Sequence, residues 1–146
     1  MKILIQANNL DTVVDAFMYI YQCPSCTKEE LADYFGFSFR QVDYYTNACK
    51  YLGLIDEKWG KTPLAVDIFT NHPAEVTERV YARIISDEII GQIFARVFAL
   101  PNEDHSNFAI NLVKKHFPNY SEAVYRRRSD NMIKWSKKII NYLTKH

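Results

Sequence analysis

Two capping boxes in close succession constrain this chain more than any other feature. Thr27-Lys28-Glu29-Glu30 reads Thr-x-x-Glu, and Ser38-Phe39-Arg40-Gln41 reads Ser-x-x-Gln. In such a box the hydroxyl accepts from a backbone N–H that the new helix cannot satisfy internally, and the Glu or Gln side chain reaches back. The first box starts a short helix through Leu31, Ala32 and Phe35 that Gly36 ends, because glycine enters the left-handed conformation without steric cost. The second starts a longer helix, with Val42, Tyr45, Cys49 and Leu52 inward and Gly53 at its end. Two helices joined by a turn of about three residues that contains glycine form the helix-turn-helix pattern.

The same punctuation organises the rest. Residues 2–6 form a short strand, and Asn9 or Asp11 caps a first helix reaching about Tyr21, with Val13, Val14, Phe17, Met18 and Tyr21 at helical spacing. Cys23-Pro24-Ser25-Cys26 breaks it. Residues 54–61 fold as a small β-hairpin; Thr62 then caps a helix whose first position is Pro63, where a missing N–H does no harm. A helix-turn-helix followed by a hairpin is a winged helix. Asn71-His72-Pro73 marks a second break, dividing a winged-helix domain over 1–72 from a helical bridge and C-terminal helix-turn-helix over 73–146, either as two domains or as one compact unit. Helices are expected over about 74–85, 87–99 and 105–117, the second capped by Ser86-Asp87-Glu88. Ser121-Glu122 caps a last long helix to about Leu143, its inward stripe formed by Val124, the stem of Arg128, Met132, Trp135, Ile139 and Leu143. The expected fold is mainly α: a winged helix-turn-helix with a short wing, bridging helices and a second helix-turn-helix.

Composition agrees with this class. A chain that is 48% hydrophobic can bury enough apolar surface to exclude disorder, and only 4 Gly and 5 Pro argue against an all-β design. The first residues hold too short an apolar run for a signal peptide, and no stretch approaches the ~20 residues of a membrane span. Three cysteines point to reduced thiols and a cytoplasmic setting.

The net charge of +1 conceals an asymmetry. Residues 1–104 carry nine Lys/Arg against fifteen Asp/Glu, a balance of −6; residues 105–146 carry nine against two, a balance of +7, and the two sum to +1. A positive block of this size implies an anionic partner, nucleic acid first. On the last helix, Arg126 and Arg127 project from the first turns beside Tyr125 and Asn131, where Arg can pair with guanine and Asn with adenine. Lys134, Lys137 and Lys138 continue toward phosphates. On the earlier unit, Arg40, Gln41, Tyr44 and Asn47 face outward, although Asp43 and the surrounding acidity oppose phosphate.

Other motifs carry no chemistry. Cys23-x-x-Cys26 lacks the second ligand pair of a zinc site and the βαβ context of a redox motif. Asp56-Glu57-Lys58 has acidic-x-Lys spacing without a partner acid. No catalytic residue, metal ligand or cofactor is expected.

Residues 27–55, through Phe37-Ser38, Arg40-Gln41-Val42-Asp43-Tyr44-Tyr45 and Leu52-Gly53-Leu54-Ile55, resemble the winged-helix units that accompany restriction endonucleases. The likeness continues in Lys61-Thr62-Pro63-Leu64, in Ile84-Ile85-Ser86 through Val97-Phe98, and in Tyr120 through Arg128. The resemblance implies duplex-DNA binding by a regulator or by the DNA-binding component of a restriction-type system, as a homodimer or beside a nuclease partner. The alternative is a protein-interaction or dimerisation module that uses the aromatic, acidic first half and makes no direct DNA contact.

Overall fold

The computed structural model describes residues 4–145. Among these it contains eight helices: α1 (Leu10–Gln22), α2 (Lys28–Phe35), α3 (Phe39–Tyr51), α4 (Pro63–Asn71), α5 (Val76–Ile85), α6 (Ile90–Ala99), α7 (Ser106–His116) and α8 (Glu122–Lys145). The chain divides into two compact units, Met1–Val80 and Tyr81–His146, and the dividing line falls inside α5.

In the first unit the caps act as their sequence dictates. The Asn9 side chain accepts from Thr12 N at 3.2 Å and Thr27 Oγ1 from Glu30 N at 3.1 Å. Ser38 forms the full reciprocal box, its hydroxyl accepting from Gln41 N while Gln41 Oε1 accepts from Ser38 N. Gly36 and Gly53 end α2 and α3 at φ 70° and 72°, the left-handed conformation that glycine tolerates best. The connection between α2 and α3 is therefore a tight turn, and α3 packs against both α1 and α2. Val13, Phe17, Leu31, Val42, Cys49, Leu52 and Ile68 are fully buried there.

In the second unit α8 packs on α6 and α7. Asp87, itself buried, starts α6 by accepting from the N–H groups of Ile89 and Ile90, each at 3.0 Å. Gly91 lies so near the end of α5 that a Cβ there would stand 2.3 Å from the Ile85 carbonyl oxygen. His105 Nε2 donates to Leu100 O at 2.8 Å and so closes the loop before α7, since a carbonyl oxygen can only accept. The turn between α7 and α8 is tied by Tyr125, whose buried hydroxyl donates to Phe117 O and accepts from Tyr120 N.

The mainly α class holds, but the wing does not. No strand occurs among the described residues, and the segment expected to be a hairpin retains one isolated antiparallel bridge, Ile55 with Lys61. The cause is side-chain competition. Asp56 Oδ1 accepts from Lys58 N at 2.8 Å and Gly60 N at 2.7 Å, and Trp59 N donates to Asp56 O at 3.0 Å. These bonds draw into a tight turn the backbone donors that a ladder needs, a conformation Asp favours over extension. Of the strand expected over 2–6, residues 2 and 3 lie outside the described residues; Leu4 and Ile5 are buried without regular structure. Leu143, expected inward, is 50% exposed, at the far end of a 24-residue helix longer than either helix it packs on.

Two outcomes follow from this packing. Gly→Ala inside a helix normally stabilises by up to ~1 kcal/mol, but Gly91→Ala meets a backbone carbonyl and should cost about 1–3 kcal/mol in urea unfolding. Burial pushes the Cys49 thiol up to about 12, so in the native chain at pH 8 it should resist a thiol-specific disulfide reagent that Cys23 reaches, and should react once the chain is unfolded.

Candidate nucleic-acid interface

The rotation of α8 is set by its apolar side. Met132, Trp135 and Ile139 are each 1% exposed or less, and Tyr125, Ser129 and Ser136 lie on the same buried arc. At ~100° per residue, Arg126, Arg127, Asp130, Lys134, Lys137 and Lys138 then fall within an arc of ~120° on the opposite side. All six are exposed. Five cations and one carboxylate thus share one face, which runs ~18 Å along the helix between residues 126 and 138 at 1.5 Å per residue.

Local pairing leaves the two arginines of that face available. Asp130 is held by Lys134 at 3.2 Å, an exposed i,i+4 pair. Lys114 of α7 bonds Glu122 at 2.6 Å, which removes the acid at the start of α8 from the account. Among the described residues no carboxylate forms an ion pair with Arg126 or Arg127. The carboxyl of Asp104 is held below its ordinary range, first by the Ser106 backbone N–H that it accepts and also by the nearby charges of His105 and Lys137. Asp104 therefore tempers the positive end of α7.

Arg126 and Arg127 border a cleft of about 340 Å³ with Ser106 and Ile110 of α7 and Ser129 and Asp130 of α8. Ser129 is 1% exposed and its Oγ has no hydrogen-bond partner among the described residues. The equivalent hydroxyl of Ser136 donates to Met132 O at 2.9 Å, the usual resting place for a helical serine. A cleft with two guanidinium groups on its rim has the donors to hold a phosphate group.

The structure thus separates the residues named from sequence. It brings Arg126, Arg127, Lys134 and Lys138 onto one exposed face. Tyr125 and Asn131 are buried, the first as the tie of the α7–α8 turn with its hydroxyl engaged there. The helical wheel carried that signal, since positions 125 and 131 lie outside the arc that contains 126, 127 and 130. Ser129 and Ser106 were missed, because a cleft between helices leaves no mark on local spacing.

In the first unit, Arg40 stacks over Tyr44, its guanidinium 5.7 Å from the ring centroid. The Gln41 carbonyl is engaged in the capping box, Asn47 and Tyr44 are half-buried, and Asp43 pairs with Lys28 at 2.9 Å. This face offers one cation and no cationic stripe. Among the described residues no group of three or more His, Cys, Asp or Glu is placed to hold a metal ion, and no helix is long and apolar enough to cross a membrane.

No curated protein and no solved structure matches the chain. One family model does, over residues 12–144, and it spans the Thr27 and Ser38 caps, the α2–α3 turn and nearly all of the cationic helix. The chain belongs to the family described as domain of unknown function DUF7226.

Proposed function

We propose that this chain binds double-stranded DNA through the cationic face of α8, without catalysing a reaction on it, as a regulator or as the DNA-binding component beside a catalytic partner. The observation that carries the reading is the alignment of Arg126, Arg127, Lys134, Lys137 and Lys138 on one exposed arc over a rigid buried side. The ~18 Å length of that arc exceeds the ~12 Å width of the major groove, so a helix lying across it reaches phosphates on both rims. Arg126 and Arg127 sit in the first turns, the half of a helix that enters the groove, and they are the candidates for base contact. The cleft they border offers a seat for one backbone phosphate.

A second reading, association with another protein, is favoured by a different surface. Tyr34 and Phe39 are 66% and 51% exposed, and Tyr34 packs on Tyr19 with ring centroids 4.4 Å apart. Neither residue contributes to the cationic face.

Binding of the full chain to a duplex of mixed sequence, measured against salt, separates the two. Counterion release predicts a slope of log affinity on log salt of roughly −0.9 per phosphate contact, and replacing Arg126 and Arg127 by Ala should shrink it by about 1–2. Absence of duplex binding at low salt in a folded chain sinks the DNA reading and leaves the protein-association one. A third result has the opposite sign. Asp130→Asn removes the one carboxylate from the stripe and frees Lys134, so duplex affinity should rise, by roughly three- to tenfold at low salt; a fall would place the contact surface elsewhere.

A further inference from the structure

The first unit contains a hollow of about 320 Å³. Phe17, Ile20 and Tyr21 of α1 line it on one side, Leu54 and Trp59 on the other, and Lys61 brings an exposed side chain to it. We propose that this hollow binds a small aromatic monocarboxylate, its ring set against Tyr21 and Trp59 and its carboxylate paired with the Lys61 ammonium.

Size, charge and backbone geometry converge on that ligand. An apolar cavity of about 150 Å³ suffices for benzene, and ligand pockets begin near ~300 Å³, so there is room for one ring and a short acidic arm. The walls are apolar and firmly braced: Tyr21 stacks on Phe69 of α4 with centroids 3.9 Å apart, and Phe69 in turn meets Phe17 at 5.3 Å. Such walls favour a flat hydrocarbon.

Lys61 supplies the sign. Its ammonium stands 4.4 Å from the Tyr21 ring centroid and forms no ion pair among the described residues. No carboxylate lines the hollow. A cation resting on an aromatic face gains more from a carboxylate, through a charge-assisted hydrogen bond, than from the ring alone.

Trp59 supplies the third argument. Its φ of 63° is a left-handed conformation, which a bulky residue adopts only when its surroundings impose it. The Asp56 bonds to Lys58 N and Gly60 N impose it here, and strain of this kind gathers at ligand clamps. The proposal is independent of DNA binding, because it uses none of the α8 cations.

Phenylacetate titrated into the full ¹⁵N-labelled chain provides the test, read on the two indole N–H resonances of Trp59 and Trp135. The Trp59 resonance should move to saturation with a Kd on the order of 1 mM or tighter, while Trp135 stays in place. Phenylacetamide, the neutral counterpart, should bind roughly tenfold more weakly, and Lys61→Gln, at an exposed position, should erase that difference. Ile20→Phe, which fills the hollow, should abolish the response while the chain still melts cooperatively. A Trp59 resonance that does not saturate overturns the proposal, as does equal binding of acid and amide to the unaltered chain. Parallel movement of both indoles, or the same shift from plain acetate, overturns it as well.

Discussion

The burial of one side of α8 is the constraint on which the cationic surface depends. A helix of 24 residues with nine Lys and Arg in its neighbourhood has no reason of its own to aim them in one direction. Met132, Trp135 and Ile139 supply that reason, because they lose water contact completely only at one rotation about the helix axis. Each buried side chain of this size contributes ~1.5–3 kcal/mol, so turning the helix to scatter its cations would expose several such groups at once. Hydrophobic packing, which has no preference among charges, thereby sets the electrostatic pattern.

The charge on the opposite face is trimmed as well as aligned. Glu122 is engaged by Lys114 and Asp130 by Lys134, while Asp104 faces Lys137 and takes the Ser106 amide. Exposed pairs of this kind add little stability, ~0–1 kcal/mol each. Their consequence lies in where they leave unmatched charge: at Arg126 and Arg127, beside a cleft whose wall holds the unengaged hydroxyl of Ser129. The first unit shows the converse, since Lys28 covers Asp43 and Lys50 lies 3.9 Å from Glu57, and its long aromatic run is turned to packing among Tyr34, Phe35, Phe37 and Tyr45.

How much of this the sequence disclosed depends on the range of the interaction concerned. Helix starts were legible because a cap is a contact between residues three apart, as Thr27 with Glu30, Ser38 with Gln41 and Thr62 with Ala65 all show. The cationic block was legible as a sum of charges. Whether a given polar residue on α8 faced water depended on the packing arc, and Tyr125 and Asn131 fell on the wrong side of it despite suitable chemistry. Ser129 became visible only when α7 closed the cleft. The hairpin failed for a different reason: two β-prone residues and a turn invite a ladder, but a single carboxylate two and four residues from free N–H groups competes with it locally and wins.

That competition reshapes more than one turn. A true hairpin over 54–61 would carry its side chains alternately up and down along two paired strands, and Trp59 would follow the pleat. With Asp56 holding Lys58 N and Gly60 N, the chain instead reverses within a few residues and forces Trp59 into the left-handed region. At Gly60 a Cβ would stand 2.5 Å from the Asp56 carboxylate, so a larger residue there would have to push that side chain aside. The single bridge between Ile55 and Lys61 then fixes the lysine next to Tyr21, over the mouth of the apolar hollow. One aspartate thus decides both that this unit has no wing and that it has a cavity with a cation at its rim.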